Sequence, residues 1–413
     1  MARRTFEVPD YYKSNIVGAV KRGRAASDPR RRDFSPALLD FGPVRFRIPR
    51  HFGFCYGVEN AIEIAYRTVA EHSDKRVFLL SEMIHNPTVN ADLLGMGVQF
   101  IMTTGGEQLV PWDELTSDDI VIVPAFGTTL EIQGLLEERG IDPYSFDTTC
   151  PFVQKVWNRS EKIGESGHTV VVHGKPRHEE TRATFSHSSQ AAPTVVVRDM
   201  EETELLVGII TGAYPIEKFE EWFGEQSSEG FDPERDLERI GVVNQTTMLA
   251  TETEAIANRL RLGMIERYGE ESVDQHFADT RDTLCYATNE NQTATIELIK
   301  SGGDIGIVVG GYNSSNTSHL VELCEEEMPT YFIKGPEEIL SDSAIRHFDL
   351  HSHRVVETNA WLPEKRPLDI LLTSGASCPD ALVDEVLLQL LGMFDGVKAL
   401  DEVIEPYIAS DPA

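Results

Sequence analysis

Three cysteines stand at equivalent places in a chain that repeats itself three times. Cys55 leads CYGVENAIEIA, Cys150 leads CPFVQKVWNRSEKI and Cys285 leads CYATNENQTATIELI. A polar cluster follows each at nearly the same distance: His85 in IHNP 30 positions on, His178 in RHEE 28 on, and Ser314 in NSSN 29 on. A third element closes each unit, an apolar strand-like run ending in a small or polar turn before a helix: DIVIVPAFGTTLEI, IGVVNQTTMLATET and LDILLTSGASCPDALV. Self-similarity on this scale predicts three copies of one α/β unit, each offering one thiolate and two polar turns. Three thiolates brought to one pseudo-threefold axis are a set suited to an iron–sulfur cluster with one iron left open.

Short β-branched runs alternate with amphipathic helices from Val44 onward: VFLL at 77–80, IVIV at 120–123, TVVV at 169–172 and 194–197, IGIVV at 305–309 and ILL at 370–372. Near-continuous apolar runs of this kind predict strands buried on both faces, in parallel sheets with βαβ connections. The expected division is a first α/β lobe over 45–149, a second over 150–280 and a third over 281–395. The acidic, aromatic stretch near 208–239 reads as a surface insertion in the second lobe. Residues 1–44 read as an extension, a tail or wrapping arm, and 396–413 as a C-terminal tail.

The formal net charge of −31, from 68 Asp and Glu against 37 Lys and Arg, argues against nucleic acid as a partner, since phosphate binding needs basic surface. Most of the acid reads as solvated surface. An anionic substrate would require a locally favourable site within a repulsive field. No apolar run approaches the roughly 18 residues of a membrane helix, and the start shows no secretory signal. Five widely spaced cysteines argue for a reducing compartment. The expected location is the cytoplasm, or a plastid if the basic extension is a transit peptide; Glu7, Asp10, Asp28, Asp33 and Asp40 dilute that signature.

Each repeat cysteine sits at or just before a helix start, where backbone N–H groups face a thiolate and lower the thiol pKa. Zinc is the rival metal, but the close C-x2-C pairs of structural zinc sites are absent. Cys324 lies on an apolar helix outside the repeat and reads as inert core. Cys378 follows Ser377 at a polar turn and reads as structural, although its place raises the question of an extra thiol near the pocket.

His85, His178, Ser314, Ser315, Asn316 and Ser377 all fall at strand-to-helix turns. Helix N-termini with Ser, Asn and His donors are ready anion sites, and pooled around one axis they suit a phosphate or diphosphate. Glu180 reads equally as a proton relay and as a first-turn helix glutamate. Thr246, in NQTT, reads equally as a ligand to a substrate oxygen and as a cap.

Together these pieces resemble the 4-hydroxy-3-methylbut-2-enyl diphosphate (HMBPP) reductase family. The motifs are FGFCYGVENAI, SEMIHNP, DTTCPFV, HGKPRHEET, VNQTTML, DTLCYAT, NSSNTSHLVEL and SGASCPDALVDEV, spanning about residues 44 to 392. The extension, the insertion and the HGK…HEET and NQTTML wording resemble the plant and cyanobacterial branch. The resemblance implies an α/β trefoil of three pseudo-threefold-related lobes around an oxygen-sensitive [4Fe–4S] cluster with one open iron, with Cys55, Cys150 and Cys285 as ligands. It implies that His85, His178, Ser314, Ser315, Asn316 and Ser377 hold the diphosphate and allylic chain, that Glu180 delivers protons and that Thr246 orients the substrate alcohol. The implied reaction is reductive dehydroxylation of HMBPP to isopentenyl and dimethylallyl diphosphate, the last step of the methylerythritol phosphate route. Electrons would come from a donor such as ferredoxin or flavodoxin, to a monomer or homodimer. Two departures stand out: Phe126 occupies the place of a third histidine in the bacterial branch, and Cys378 occupies a place often held by Ala. The rival classes are a redox-neutral iron–sulfur hydro-lyase acting on a diphosphate-bearing or other anionic small molecule, and a non-catalytic cluster-carrying sensor.

Overall fold

The computed structural model describes residues 6–278 and 283–409. The expected boundary between second and third lobes, at 280/281, and Asp282 of DTLCYAT lie outside the described residues. The strands, in chain order, are β1 Ala37–Asp40, β2 Val44–Ile48, β3 Val77–Leu79, β4 Gln99–Phe100, β5 Ile120–Ile122, β6 Thr169–His173, β7 Thr194–Val197, β8 Ile240–Asn244, β9 Ile305–Val309, β10 Thr330–Ile333, β11 Ala344–Asp349, β12 Arg354–Asn359 and β13 Leu368–Ser374. The six apolar runs fall within these strands, save that those at 77–80 and 120–123 outlast β3 and β5 by one residue, and β3, β5, β6, β7, β9 and β13 are buried along their whole length.

The fold is mixed α/β with three sheets, ordered β4-β3-β5, β7-β6-β8 and β1-β2-β13-β9-β10-β11-β12. Each contains the same parallel triad. The central strand (β3, β6 or β9) has the next strand on one side (β4, β7 or β10) and the strand of the third sequence element on the other (β5, β8 or β13). The repeat seen in the sequence is therefore a repeat of topology. The third sheet is enlarged by the antiparallel hairpin β11–β12 on one edge and the antiparallel pair β1–β2 on the other.

The described chain forms two compact units. One is built from the chain up to Glu63, Ile84–Ala91 and the chain from Tyr286 on; the other from Ile64–Met83 and Asp92–Cys285. The first holds the large sheet, with a core that includes Val44, Phe46, Ile48, Ile305, Ile307, Val309, Ile370 and Leu372. The second holds both three-stranded sheets. Its cores join Phe78, Leu80, Val121 and Val123 in one sheet layer and Val171, Val195, Val197, Ile240 and Val242 in the other.

The segments set apart in the sequence as extension and tail carry folded elements. The helix Ile16–Ser27 buries Ile16, Val17 and Val20 against Leu387 and Leu390. Its amino end is capped by Asp384, which accepts hydrogen bonds from the backbone N–H groups of Asn15, Ile16 and Val17 at 3.0, 2.9 and 2.9 Å. The helix Leu400–Ile408 packs beside it so closely that a Cβ on Gly23 would stand 2.3 Å from the Tyr407 carbonyl oxygen. The stretch near 208–239 also departs from a surface insertion: Phe219, Phe223 and Leu237 are buried in the core. The acidic side chains of that stretch mask, in sequence, an aromatic face that packs inward.

An N-terminal truncation to residue 40, which a loose arm would tolerate, removes a core helix and β1. We expect it to lower the melting temperature by many degrees or abolish folding. Asp384→Ala, which removes three charge-assisted caps, should cost about 1–2 kcal/mol. Thermal melts and native-state hydrogen exchange over 16–27 check this; an unshifted melt in both variants would contradict it.

Candidate active site

Six of the eleven candidate residues gather in the first unit: Cys55, His85, Ser314, Ser315, Asn316 and Ser377. Ser314, Ser315, Asn316 and Ser377 follow the carboxyl ends of the parallel strands β9 and β13, the usual place for a ligand on an open α/β sheet, and the Cys55 and His85 turns are hydrogen-bonded to the Ala376–Ser377 turn. Ser314 caps the helix Ser315–Glu325, its Oγ accepting from the Thr317 N–H at 3.3 Å. The Asn316 Oδ1 accepts from the Ala376 N–H at 2.9 Å, and the Ser377 hydroxyl donates to the His85 carbonyl at 3.1 Å. Three turns from distant parts of the sequence are thus sewn into one cradle. Two glycines make it possible. A Cβ on Gly311 would lie 2.3 Å from the His85 carbonyl oxygen, and one on Gly375 would lie 2.0 Å from the Thr317 Oγ1. The Ser315 Oγ and Asn316 Nδ2 are buried without a hydrogen-bond partner. Buried donors without partners are costly, and an anion's oxygens would satisfy both.

The other five residues gather in the second unit: Cys150, Cys285, His178, Glu180 and Thr246. Glu180, at the first turn of Glu179–Ala191, is buried, and both its carboxylate oxygens accept from Thr246. The Thr246 backbone N–H donates to one oxygen at 2.5 Å and its hydroxyl donates to the other at 3.0 Å. The first-turn reading of Glu180 matches its place in the helix, and the relay reading would need the carboxylate to face a hydroxyl, as it does here. The helix start fixes the residue, and its carboxylate faces the NQTT turn. His178 caps the same helix, its Nδ1 accepting from the Glu180 N–H at 3.2 Å. An accepting Nδ1 fixes the tautomer in which Nε2 carries the proton, so His178 is set up as a donor. The Phe126 ring stands edge-on to the His178 ring at 5.8 Å. Phe126 takes no hydrogen-bonding role there; it buttresses a residue that has one.

Gln245 is a neighbour that sequence reasoning missed. Its Oε1 accepts from the Thr181 hydroxyl at 3.0 Å and the Lys175 N–H at 3.2 Å, and its Nε2 donates to the Thr247 hydroxyl at 2.8 Å. It clamps the NQTT turn to the HGK turn. The pairing spans some seventy residues, so only the shared Q-T wording of the turn hinted at it.

The cysteines share one arrangement. Each backbone N–H donates to a carbonyl in a third-element turn: Cys150 to Ala125 at 3.0 Å, Cys285 to Thr246 at 3.1 Å and Cys55 to Ala376 at 3.1 Å. Each cysteine is tied to the turn of the repeat before it, taken in rotation. The register also aligns Phe126, Thr247 and Ser377 as the next residue of each turn. Local devices deliver the chain to this point. The Asp147 Oδ1 accepts from the N–H and hydroxyl of Thr149 at 2.8 and 2.5 Å, and Pro151 opens the helix Pro151–Glu165. Before Cys285, Thr283 and Asn244 exchange hydrogen bonds through side chain and backbone, with N–H donors at 2.8 and 3.0 Å.

The Cys150 thiol differs from the expectation for a helix amino end. Burial pushes it up to about 11, Cys285 and Glu180 nearby push the same way, and the Phe152 and Val153 N–H groups offset only part of this. At neutral pH the metal-free residue is a thiol, and a metal would displace its proton. Among the described residues no group of three His, Cys, Asp or Glu side chains is placed to hold a single metal ion. A cluster makes a different demand, because each thiolate binds its own iron. The donor set suits one: Cys150 and Cys285 lie within each other's electrostatic reach, with helix N–H groups facing the Cys150 sulfur. Cys324 and Cys378 are fully buried in apolar clusters. The question of an extra thiol at the pocket closes: burial holds the Cys378 thiol far above its ordinary value and that of Cys324 at about 12.

This is the layout of a mixed α/β protein with three repeated thiol positions and polar turns at helix amino ends. Residues 47–391 match the family described as LytB protein. The chain belongs to that family. A Synechococcus protein named 4-hydroxy-3-methylbut-2-enyl diphosphate reductase is 41% identical over 356 residues, covering 86% of this chain and 87% of the relative. One of the same name from Prochlorococcus marinus is 38% identical over 409 residues, covering 97% and 96%. The solved structure of the E-1-hydroxy-2-methyl-but-2-enyl-4-diphosphate reductase from Plasmodium falciparum shares the fold, with a TM-score of 0.60 at 20% identity over 84% of this chain and 88% of that one. No helix among the described residues is long and apolar enough to cross a membrane.

Because a thiol held near 12 ionises only sparingly below pH 9, Cys324 should resist alkylation in the native protein at pH 8, and fully buried Cys378 with it. Both should react at once on unfolding. Mass-spectrometric mapping after a timed iodoacetamide pulse checks this, and native labelling of either residue at the rate of a free thiol would contradict it.

Proposed function

We propose that this chain catalyses the reductive dehydroxylation of 4-hydroxy-3-methylbut-2-enyl diphosphate to isopentenyl and dimethylallyl diphosphate. The observation that carries the reading is the Glu180–Thr246 pair, a carboxylate accepting from a hydroxyl, near Cys150 and Cys285. The relatives' shared name supports the substrate. The balance is an allylic alcohol plus two electrons and two protons giving an alkene and water.

Cys55, Cys150 and Cys285 would hold an iron–sulfur cluster, of the [4Fe–4S] type with one open iron. When bound, such a cluster supplies single electrons and a Lewis-acidic iron. The chain's own residues do the rest. The Ser315 hydroxyl and the Asn316 Nδ2, each lacking a partner, meet diphosphate oxygens, with Ser314, Ser377 and His85 completing that cradle. The His178 Nε2–H adds a donor, held in direction by its capping bond and by Phe126. The Thr246 hydroxyl bridges the substrate alcohol to Glu180. One proton passes from Glu180 through Thr246 to the departing hydroxyl, which leaves as water; a second is added to carbon. Two histidines then carry a diphosphate load that relatives of the bacterial branch share among three.

A hydro-lyase would need no reductant, and a sensor would not turn over. Anaerobic incubation of the reconstituted protein with the diphosphate substrate and reduced methyl viologen separates these. We expect viologen oxidation matched by two five-carbon diphosphate products; product without viologen oxidation would establish the hydro-lyase.

Glu180→Gln should retain metal and bind substrate while turning over about 10²–10⁴-fold more slowly. Thr246→Val, which keeps shape and removes the relay oxygen, should fall in the same range with kcat affected more than KM. Near-normal kcat in both variants would return Glu180 to a helix-start role.

A further inference from the structure

A basic pocket in the first unit is built from the extension helix, the loop before Cys55 and the first turns of the helix Tyr286–Lys300. It has a volume of about 280 Å³ and is lined by Lys21, Arg22, Arg31, Arg50, Cys55 and Asn291, among others. Four cations around one opening are notable in a chain of net charge −31.

The pocket is built, and its polar groups are incompletely satisfied. Arg50 is only 7% exposed, and its terminal nitrogen reaches the Arg24 and Asp28 carbonyls at no better than 3.4 Å. Its Nε has no partner. Burial, and then the neighbouring charges of Arg24 and Arg31, disfavour its cation. The amide nitrogen of Asn291, 4% exposed, also lacks a partner. Two donors buried on one wall and unsatisfied call for an acceptor from outside. Among the described residues, Glu290 pairs with His51 at 3.2 Å and Arg31 at 3.8 Å, and Asp380 is taken up by Lys21 at 2.6 Å. The Lys21 ammonium also donates to the Phe52 carbonyl at 2.7 Å, and Gly53, at φ +71°, admits this pair where a Cβ would lie 2.0 Å from Asp380. The extension helix is thereby pinned to the Cys55 loop. Arg22 is exposed at the rim.

We propose that this pocket is the docking site of the electron donor, an acidic one-electron carrier protein that seats a carboxylate side chain against Arg50 and Asn291. The inference rests on the reductase reading and names its partner. Charge complementarity supports it: a carrier of negative charge is repelled by the chain as a whole and admitted at this patch, which gives both steering and orientation. Cys55 lines the pocket, so a carrier seated here stands against a residue assigned to the cluster. Each docking oxidises the carrier by one electron. Two dockings supply the two electrons that, with two protons, convert the alcohol to alkene and water.

The test uses the full-length reconstituted protein, a plant-type [2Fe–2S] ferredoxin as probe, and the double variant Arg22→Glu/Arg31→Glu. Two quantities are read: ferredoxin binding by calorimetry across ionic strength, and turnover driven either by reduced ferredoxin or by methyl viologen. We expect the dissociation constant at low salt to rise at least about tenfold and its salt dependence to flatten. Ferredoxin-driven kcat/KM should fall by the same factor while viologen-driven turnover stays within about twofold. The milder Arg50→Gln should weaken ferredoxin binding in the same direction. Unchanged ferredoxin binding in both variants overturns the proposal. So does inorganic pyrophosphate binding that Arg50→Gln abolishes while ferredoxin binding persists, which would make the pocket a small-anion site. If wild-type protein shows no viologen-driven turnover, the reductase reading fails, and the binding arm still decides whether the pocket docks a carrier.

Discussion

One hydrogen bond, made three times, sets the frame on which the rest depends. The N–H of each repeat cysteine donates to a carbonyl in the third-element turn of the preceding repeat: Cys150 to Ala125, Cys285 to Thr246, Cys55 to Ala376, all within 3.0–3.1 Å. A backbone bond of this kind contributes only about 1 kcal/mol on its own. Its importance is positional, because it fixes each cysteine at a helix start and against a third-element turn. Phe126, Thr247 and Ser377 stand next in those turns, so the same bond that positions a cysteine also positions a ring or a hydroxyl. The three repeats have kept one backbone and diverged in what they hang from it.

Tolerance around this frame is small. Gly174 and Gly310 stand at matching places after β6 and β9, and a Cβ on either would meet a threonine hydroxyl, Thr181 or Thr317, at 2.7 or 2.6 Å. Those threonines are in turn bonded to Gln245 and to Ser314, at 3.0 and 2.9 Å. Glycine lets strand end and helix start touch, and the hydroxyl at the contact passes the constraint to the turn that carries chemistry. Substitutions at these glycines would act on the site without touching a ligand, through displaced backbone rather than lost contacts.

Much of this was legible in the chain. Valine and isoleucine runs placed strands within a residue or two because strands buried on both faces have little choice of composition. The cysteines and polar turns were legible through repetition, which turns weak local signals into a register. What stayed hidden depends on distance or packing. The Gln245 clamp joins residues far apart in sequence. The extension helix is marked in sequence by arginines, and only its contact with Asp384 and Tyr407 shows that Ile16, Val17 and Val20 turn inward. Phe219 and Phe223 were masked by surrounding acids. The Cys150 thiol was expected low from its helix start, but the desolvation of its sulfur outweighs two N–H groups, a balance that sequence does not contain.

The central claim is that Cys55, Cys150 and Cys285 act as one ligand set because the repeat makes them equivalent. Anaerobic iron and acid-labile sulfide counts per chain, after identical reconstitution, test it most directly on the single Cys→Ser variants at these three positions beside Cys324→Ser. The account predicts loss of most iron and sulfide in all three and wild-type content in Cys324→Ser. Full content in any one of the three, with melting curves unchanged, would contradict it.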